Sequence, residues 1–492
     1  MRLRTAALLF SLSAASLAVA GGAGASGRLA LSPCELHEPN DLTLIQAQCG
    51  RLAVAENPAA PRGRRIELRV AVVPAISTRK DPDPLFVLAG GPGLAATDFY
   101  ASVAPVFASL GRERDIVLVD QRGTGGSNAL DCESSDQDLF QSTDAELVAE
   151  TERCLKTLAA HADVRFYTTS LAVEDLDRVR AALGYDRINL YGSSYGTLVA
   201  QQYVRRFADR VRSVILDGVV PPQQAIGEMS ALDAQTALSS IFSRCVRQSA
   251  CHSRFGDPAK AFRQLRGELT ERPVWVDLTD PTSGEPYRLQ FTDYQLSMVL
   301  RLASYTPELA ALLPLDLHEA AAADNFAPLA GQFLLIDRTY GDAIAEGMND
   351  TVVCSEDVPF YHVDAEQRAE LARTFLGTSQ LDGLEAICRI WPHGPVDPDF
   401  HAPLHSDVPA LLLSGGNDPI TPPRYAAQAS RGFTHSLSLV IAGFGHGQLT
   451  DPCMAQVMAR FIALGSVSGL DTACTRKLAP MPFFLTRNGP TP

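Results

Sequence analysis

The chain has 492 residues, enough for one large domain with an insertion or for two to three ordinary domains. Its 46% hydrophobic and 20% charged content suits a globular protein with a substantial core and excludes a disordered or fibrous chain. A net charge of −14 argues against nucleic acid or an anionic membrane as partner.

Residues 1–25 read as a secretory signal. Arg2 and Arg4 precede an apolar, alanine-rich stretch from Ala6 to Ala20, and small residues follow through Ser26. Cleavage after Ala18-Val19-Ala20 or after Ala23-Gly24-Ala25 fits the small-residue rule. The stretch is short for a membrane span, and no later one is long and apolar enough. The mature chain is therefore expected to be exported, periplasmic or secreted, with no membrane span. Its ten cysteines, an even number, then call for disulfides. Connectivity stays open at this level, although joining neighbours along the chain closes the shortest loops. No C-x-x-C and no His/Cys cluster with ligand spacing occurs, so no metal or other cofactor is expected.

Short apolar runs at 66–73, 85–89, 116–119, 188–191, 214–216, 410–414 and 437–441 alternate with helical stretches, the pattern of an α/β protein with a mostly parallel, doubly wound sheet. The second run leads into Gly90-Gly91-Pro92-Gly93. Backbone N–H groups after such a strand can point at a developing oxyanion, and Gly91 is the preferred donor, with Gly90 the alternative. The third run leads into Asp120-Gln121-Arg122-Gly123-Thr124-Gly125-Gly126-Ser127, read as a structural floor held by Arg122.

The fourth run ends in Gly192-Ser193-Ser194-Tyr195-Gly196, after which Leu198, Val199, Gln201, Gln202 and Tyr203 read as a helix. A G-x-S-x-G between strand and helix is a nucleophile elbow, whose tight turn leaves the serine hydroxyl exposed. Ser194 is the expected nucleophile, and the N–H of Tyr195 the second oxyanion donor. The gap from 216 to 410 is too long for one crossover. It carries helical periodicity at Leu232, Ala237, Leu238, Ile241, Phe242 and Cys245, so residues 221–404 are expected as a mostly helical cap. Asp418, in the loop after the run at 410–414, is the expected acid. His446, in Ala442-Gly443-Phe444-Gly445-His446-Gly447 after the last run, is the expected base. His435 lies before that run, and Asp451 reads better as a helix N-cap. The proline-rich end reads as a loosely ordered tail.

Together these motifs resemble the α/β-hydrolase serine exopeptidases, the proline iminopeptidases and secreted tripeptidyl aminopeptidases. Cys49-Gly50-Arg51-Leu52-Ala53-Val54, Cys388-Arg389-Ile390-Trp391-Pro392 and Asn417-Asp418-Pro419-Ile420-Thr421-Pro422 extend the likeness over about residues 34–475. The resemblance implies an α/β-hydrolase core at 34–220 and 405–475, the cap at 221–404 between them, and a tail at 476–492. It assigns Ser194, Asp418 and His446 to a triad and implies hydrolysis from the free N-terminus of peptides. It also implies carboxylates on the cap side that hold the protonated amine, for which Glu356 and Asp357 in Cys354-Ser355-Glu356-Asp357-Val358-Pro359 are candidates. The competing reading of that stretch is a solvated acidic turn tied by Cys354. Alternatives to the peptidase are an esterase of the same fold and a non-catalytic binding protein on a hydrolase scaffold; the sequence leaves oligomeric state open.

Overall fold

In a computed structural model, which describes residues 28–37, 44–132, 144–340 and 343–491, the apolar runs form the centre of a nine-stranded sheet. The expected signal segment lies outside the described residues. Three strands, β1 (Ser32–His37), β2 (Leu44–Ala55) and β3 (Arg65–Val73), run antiparallel at one edge. β3 pairs antiparallel with β5 (Ile116–Val119), which lies beside the parallel β4 (Leu85–Leu88). From β4 the sheet continues in parallel through β6 (Ile188–Ser193), β7 (Val211–Asp217), β10 (Ala410–Gly415) and β11 (Ser436–Ile441). This is the α/β-hydrolase fold, with a mostly parallel sheet covered by helices.

Continuous apolar runs mark strands covered on both faces, and the packing shows why. Phe86 and Leu412 join one core layer, while Leu85, Val87, Leu411 and Leu413 join the opposite one. The first two strands escaped sequence reading because their edge position leaves many residues exposed, which blurs the alternation.

The stretch between β7 and β10 begins with the helix Ser230–Arg247, as its periodicity implied. A helix at Pro258–Glu271 starts on an Asp257 cap with proline in its first turn, and one at Asp293–Ala303 starts on a Thr292–Gln295 capping box. These helices, with Pro307–Ala323 and Ala327–Tyr340, enclose their own apolar core around Ile241, Leu265, Leu300 and Leu317. A hairpin, β8 (Val274–Thr279) with β9 (Pro286–Phe291), stands beside them. The later part of the stretch packs differently: Met348, Val352, Cys388, Trp391 and Phe400 belong to the sheet's core layer.

Five disulfides join cysteines in chain order, Cys34–Cys49, Cys132–Cys154, Cys245–Cys251, Cys354–Cys388 and Cys453–Cys474. No helix among the described residues is long and apolar enough to cross a membrane.

The C-terminal segment is not the loose tail that its prolines suggest. Phe483 and Leu485 are buried, Phe484 N–H donates to Ala311 O at 3.1 Å, and Arg487 pairs with the buried Asp316 at 2.6 Å. Apolar anchors and one cation strap this segment to the inserted helices.

Candidate active site

Ser194 sits at φ +54, a conformation that non-glycine residues rarely adopt, at the junction of β6 and the helix Tyr195–Phe207. The flanking glycines are sterically required. A Cβ at Gly192 would lie 2.3 Å from Gly196 O, and one at Gly196 would lie 2.4 Å from Leu88 O. The helix is therefore wedged against the end of β4, where the Gly90 loop begins. A Cβ at Gly90 would sit 3.1 Å from Ser194 Cβ and 3.7 Å from its hydroxyl oxygen, so this glycine faces the serine most closely. Gly91, at φ +102, folds against Gly93 and Leu94. The Gly90–Gly93 loop is braced from outside: Asn349 donates to Pro92 O at 3.1 Å, and Ala345 N–H donates to Gly93 O at 3.1 Å.

The ends of β10 and β11 bring Asp418 and His446 together. Asp418 Oδ2 lies 2.9 Å from His446 Nδ1 and also accepts the Thr421 hydroxyl at 2.8 Å. Its Oδ1 accepts the backbone N–H groups of Ile420 and Thr421 at 2.9 and 2.8 Å. Burial alone would raise this carboxyl, but His446 and the two backbone donors hold it below the usual aspartate value. Burial likewise disfavours imidazolium, yet the Asp418 charge and hydrogen bond, with Asp217 adding to them, raise His446 above its ordinary value. Both shifts favour the charged pair. The histidine loop is fixed from the inserted helices: His446 N–H donates to Tyr305 O at 2.8 Å, and the Tyr305 ring lies 5.3 Å from the imidazole. Asp451 caps the helix Pro452–Leu464 through Cys453 and Met454 N–H and takes no part in this pair.

Asp217, at the end of β7, is a residue that sequence reading missed. Its backbone carbonyl accepts Ser194 N–H at 2.8 Å. Its carboxylate accepts the N–H of Gln448, two residues after His446, at 2.8 and 2.9 Å, and the Tyr191 hydroxyl at 2.9 Å. The following residue, Gly218, lies against the imidazole: a Cβ there would be 3.0 Å from His446 Cε1. One residue thus ties the serine turn to the histidine loop. Burial pushes its carboxyl up to about 6, partly offset by the Gln448 and Tyr191 hydrogen bonds. The only sequence signal was an aspartate closing an apolar strand.

The neighbouring candidates fall in a second layer. The Tyr195 side chain is buried, and its hydroxyl meets Gln121 at 2.9 Å and Thr169. Arg122 is buried with its guanidinium on Asp175 at 2.7 Å and on the carbonyls of Glu56 and Phe166, the structural role its motif suggested. Glu356 and Asp357 lie in a π-helical turn, Val353–Asp357, and are fully buried, which overturns the reading of a solvated acidic turn. Glu356 Oε1 accepts Thr169 N–H at 2.5 Å and Asp357 Oδ1 accepts Ile226 N–H at 2.7 Å. The second oxygen of each is buried without a donor. Burial pushes Glu356 up to about 8 and Asp357 well above its ordinary value.

Comparison with known proteins agrees with the α/β-hydrolase fold. Residues 83–237 match the family described as alpha/beta hydrolase fold, and residues 373–474 match the family described as TAP-like protein. The chain is similar to the serine protease Hip1 of Mycobacterium tuberculosis, 26% identical across 90% of each chain. It is 25% identical to a tripeptidyl aminopeptidase of Streptomyces lividans, over 88% of this chain and 85% of that one. A carboxylesterase B of Mycobacterium tuberculosis is 27% identical over 76% of each chain.

Proposed function

We propose that this chain, which belongs to the α/β hydrolases related to the tripeptidyl aminopeptidases, is an exported serine exopeptidase that removes residues from the free N-terminus of peptides. That it is a serine hydrolase of this fold follows from its relatives. The observation that carries the catalytic reading is the Asp418–His446 pair at 2.9 Å, whose loop Asp217 ties to the turn of Ser194.

In the proposed mechanism Ser194 attacks the scissile carbonyl while His446 accepts its proton, and Asp418 holds the imidazole and stabilises its charged form. The N–H groups of Tyr195 and Gly91, with Gly90 as alternative, stabilise the oxyanion. His446 then returns the proton to the leaving amine, and water releases the acyl-enzyme. Glu356 and Asp357 are proposed to receive the substrate's protonated amine. Their support is the donorless oxygen on each, with Glu356 linked through Thr169 to the Tyr195 hydroxyl. Both acids are closed to solvent in this structure. Export is supported by the N-terminal segment and by five disulfides.

The likeness to a carboxylesterase favours an esterase as the second reading. Turnover of matched tripeptide amides with free and acetylated N-termini separates the two. The peptidase reading expects preference for the free amine, loss of that turnover in Ser194→Ala, and retention in Ser193→Ala. Equal or better cleavage of blocked esters overturns it.

A further inference from the structure

The outer face of the inserted helices carries a groove of about 700 Å³, the size of a ligand cleft, bordered by Arg247, Arg263, Arg266 and Arg373. No hydrogen bond or ion pair joins any of these four side chains to another described residue. Asp257 is the single carboxylate on the lining, and it is occupied in capping the helix Pro258–Glu271. Beneath the guanidiniums the floor is apolar, with the buried rings of Phe242, Phe262 and Phe375. Gln235 fixes that floor by accepting Phe375 N–H at 3.1 Å.

Four like charges around one cleft repel one another. The C-terminal end of the helix Ser230–Arg247 favours Arg247, but it does nothing for the other three. In a chain of net charge −14, general electrostatics would drive an acidic ligand away, so a local cluster of this kind selects against the field of the whole molecule. Guanidinium binds carboxylate in a planar, bidentate fashion, and an extended peptide turns successive side chains to opposite sides. Carboxylates on the rim and apolar side chains on the phenylalanine floor satisfy both features together.

We propose that this groove is a secondary binding site for an acidic stretch of the polypeptide substrate, downstream of the bond that is cut. The proposal rests on the exopeptidase reading above. It places the tail close to the chemistry because the opposite face of the same helix touches the acid loop: Ser240 donates to Asn417 at 2.9 Å, and Asp233 accepts the Tyr425 hydroxyl at 3.0 Å. A helix is roughly 10 Å across, about three extended residues. A substrate of a dozen residues or more therefore has the reach to engage both faces.

Two measurements test it. The first is fluorescence anisotropy of Ser194→Ala with an N-acetylated twelve-residue peptide alternating Glu with Phe and Leu, beside its Gln analogue and phosphatidylglycerol vesicles. The expected result is saturable, salt-sensitive binding of the Glu peptide, at least tenfold weaker in Arg263→Glu/Arg266→Glu. Equal binding of the Gln peptide, indifference to the double substitution, or binding to vesicles in place of the peptide overturns the proposal. The second is kcat/KM on free-amine peptides with acidic or neutral tails, beside a three-residue chromogenic substrate. The double variant should lose the advantage of the acidic tail and cleave the short substrate normally. An acidic tail that confers no advantage overturns the assignment to substrate. Failure of the short substrate overturns the exopeptidase reading and with it the assignment to substrate, whereas binding of acidic peptide at the groove is read separately by the anisotropy measurement, which needs no turnover.

Discussion

Asp217 does at residue scale what the strands on either side cannot do alone. Its carbonyl holds Ser194 N–H and its carboxylate holds Gln448 N–H, so serine and histidine loops share one anchor. It is a positioning residue, and its charge also faces the imidazole, together with that of Asp418. In the proposed mechanism His446 must be neutral to accept the serine proton, so kcat/KM should rise with pH along a limb above the ordinary imidazole value of about 6.5. Asp217→Asn removes one negative charge and makes the imidazolium less stable. The limb should therefore move to lower pH, with kcat reduced roughly 10–100-fold by the loosened loop. A pH–rate profile that keeps its limb while kcat falls would reduce Asp217 to a purely structural support.

The turn Val353–Asp357 is the element with the most unusual electrostatics. Its two acidic side chains are buried, yet no cation among the described residues is paired with either. Folded, Glu356 keeps its proton up to about 8, whereas an unfolded chain releases it near the ordinary value of about 4.3. Between those values the folded state binds more protons, so stability falls as pH rises and levels off above about 8. Glu356→Gln stays neutral throughout. Its Tm should therefore decline less than that of the wild type between pH 5 and 8, with a residual decline from Asp357. The same variant reads the proposed amine site: kcat/KM should fall for free-amine substrates and hold for acetylated ones. Wild-type pH dependence of Tm in the variant would mean that Glu356 is already ionised in the fold.

For the whole molecule, the question is how the inserted helices stay in place above the sheet. They are tied at the histidine loop through Tyr305 and at the acid loop through Ser240, and the C-terminal segment crosses from the last core helix to reach them. Arg244 donates to Met481 O at 2.7 Å with its guanidinium 3.7 Å from the Phe483 ring, and Arg487 ends the strap on Asp316 and Glu319. Arg487→Ala leaves the buried Asp316 without its cation. Since Arg487 is itself partly exposed, the expected cost is about 1–3 kcal/mol. Thermal unfolding should show a lowered Tm, and a chain ending at Leu478 should lose more, together with activity. A truncated chain with unchanged Tm and kcat would mean that the strap only decorates the surface.

Local patterns determined much of this protein before any tertiary contact was known. The strands of the core sheet from 66 onward, the serine elbow and the Asp418 and His446 loops are legible because backbone sterics and apolar runs act over a few residues. Glycine at 192 and 196 is demanded by the turn itself. What only the tertiary structure decided depends on residues distant in sequence. The link from Asp217 to Gln448 spans 231 positions, Tyr305 reaches the imidazole from the inserted helices, and the tail is ordered by Ala311 and Asp316. For Glu356 and Asp357 the sequence left a pocket and a solvated turn both open, and packing buried them, since the free energy of a carboxylate is set by its surroundings in space, which a single stretch of sequence does not contain.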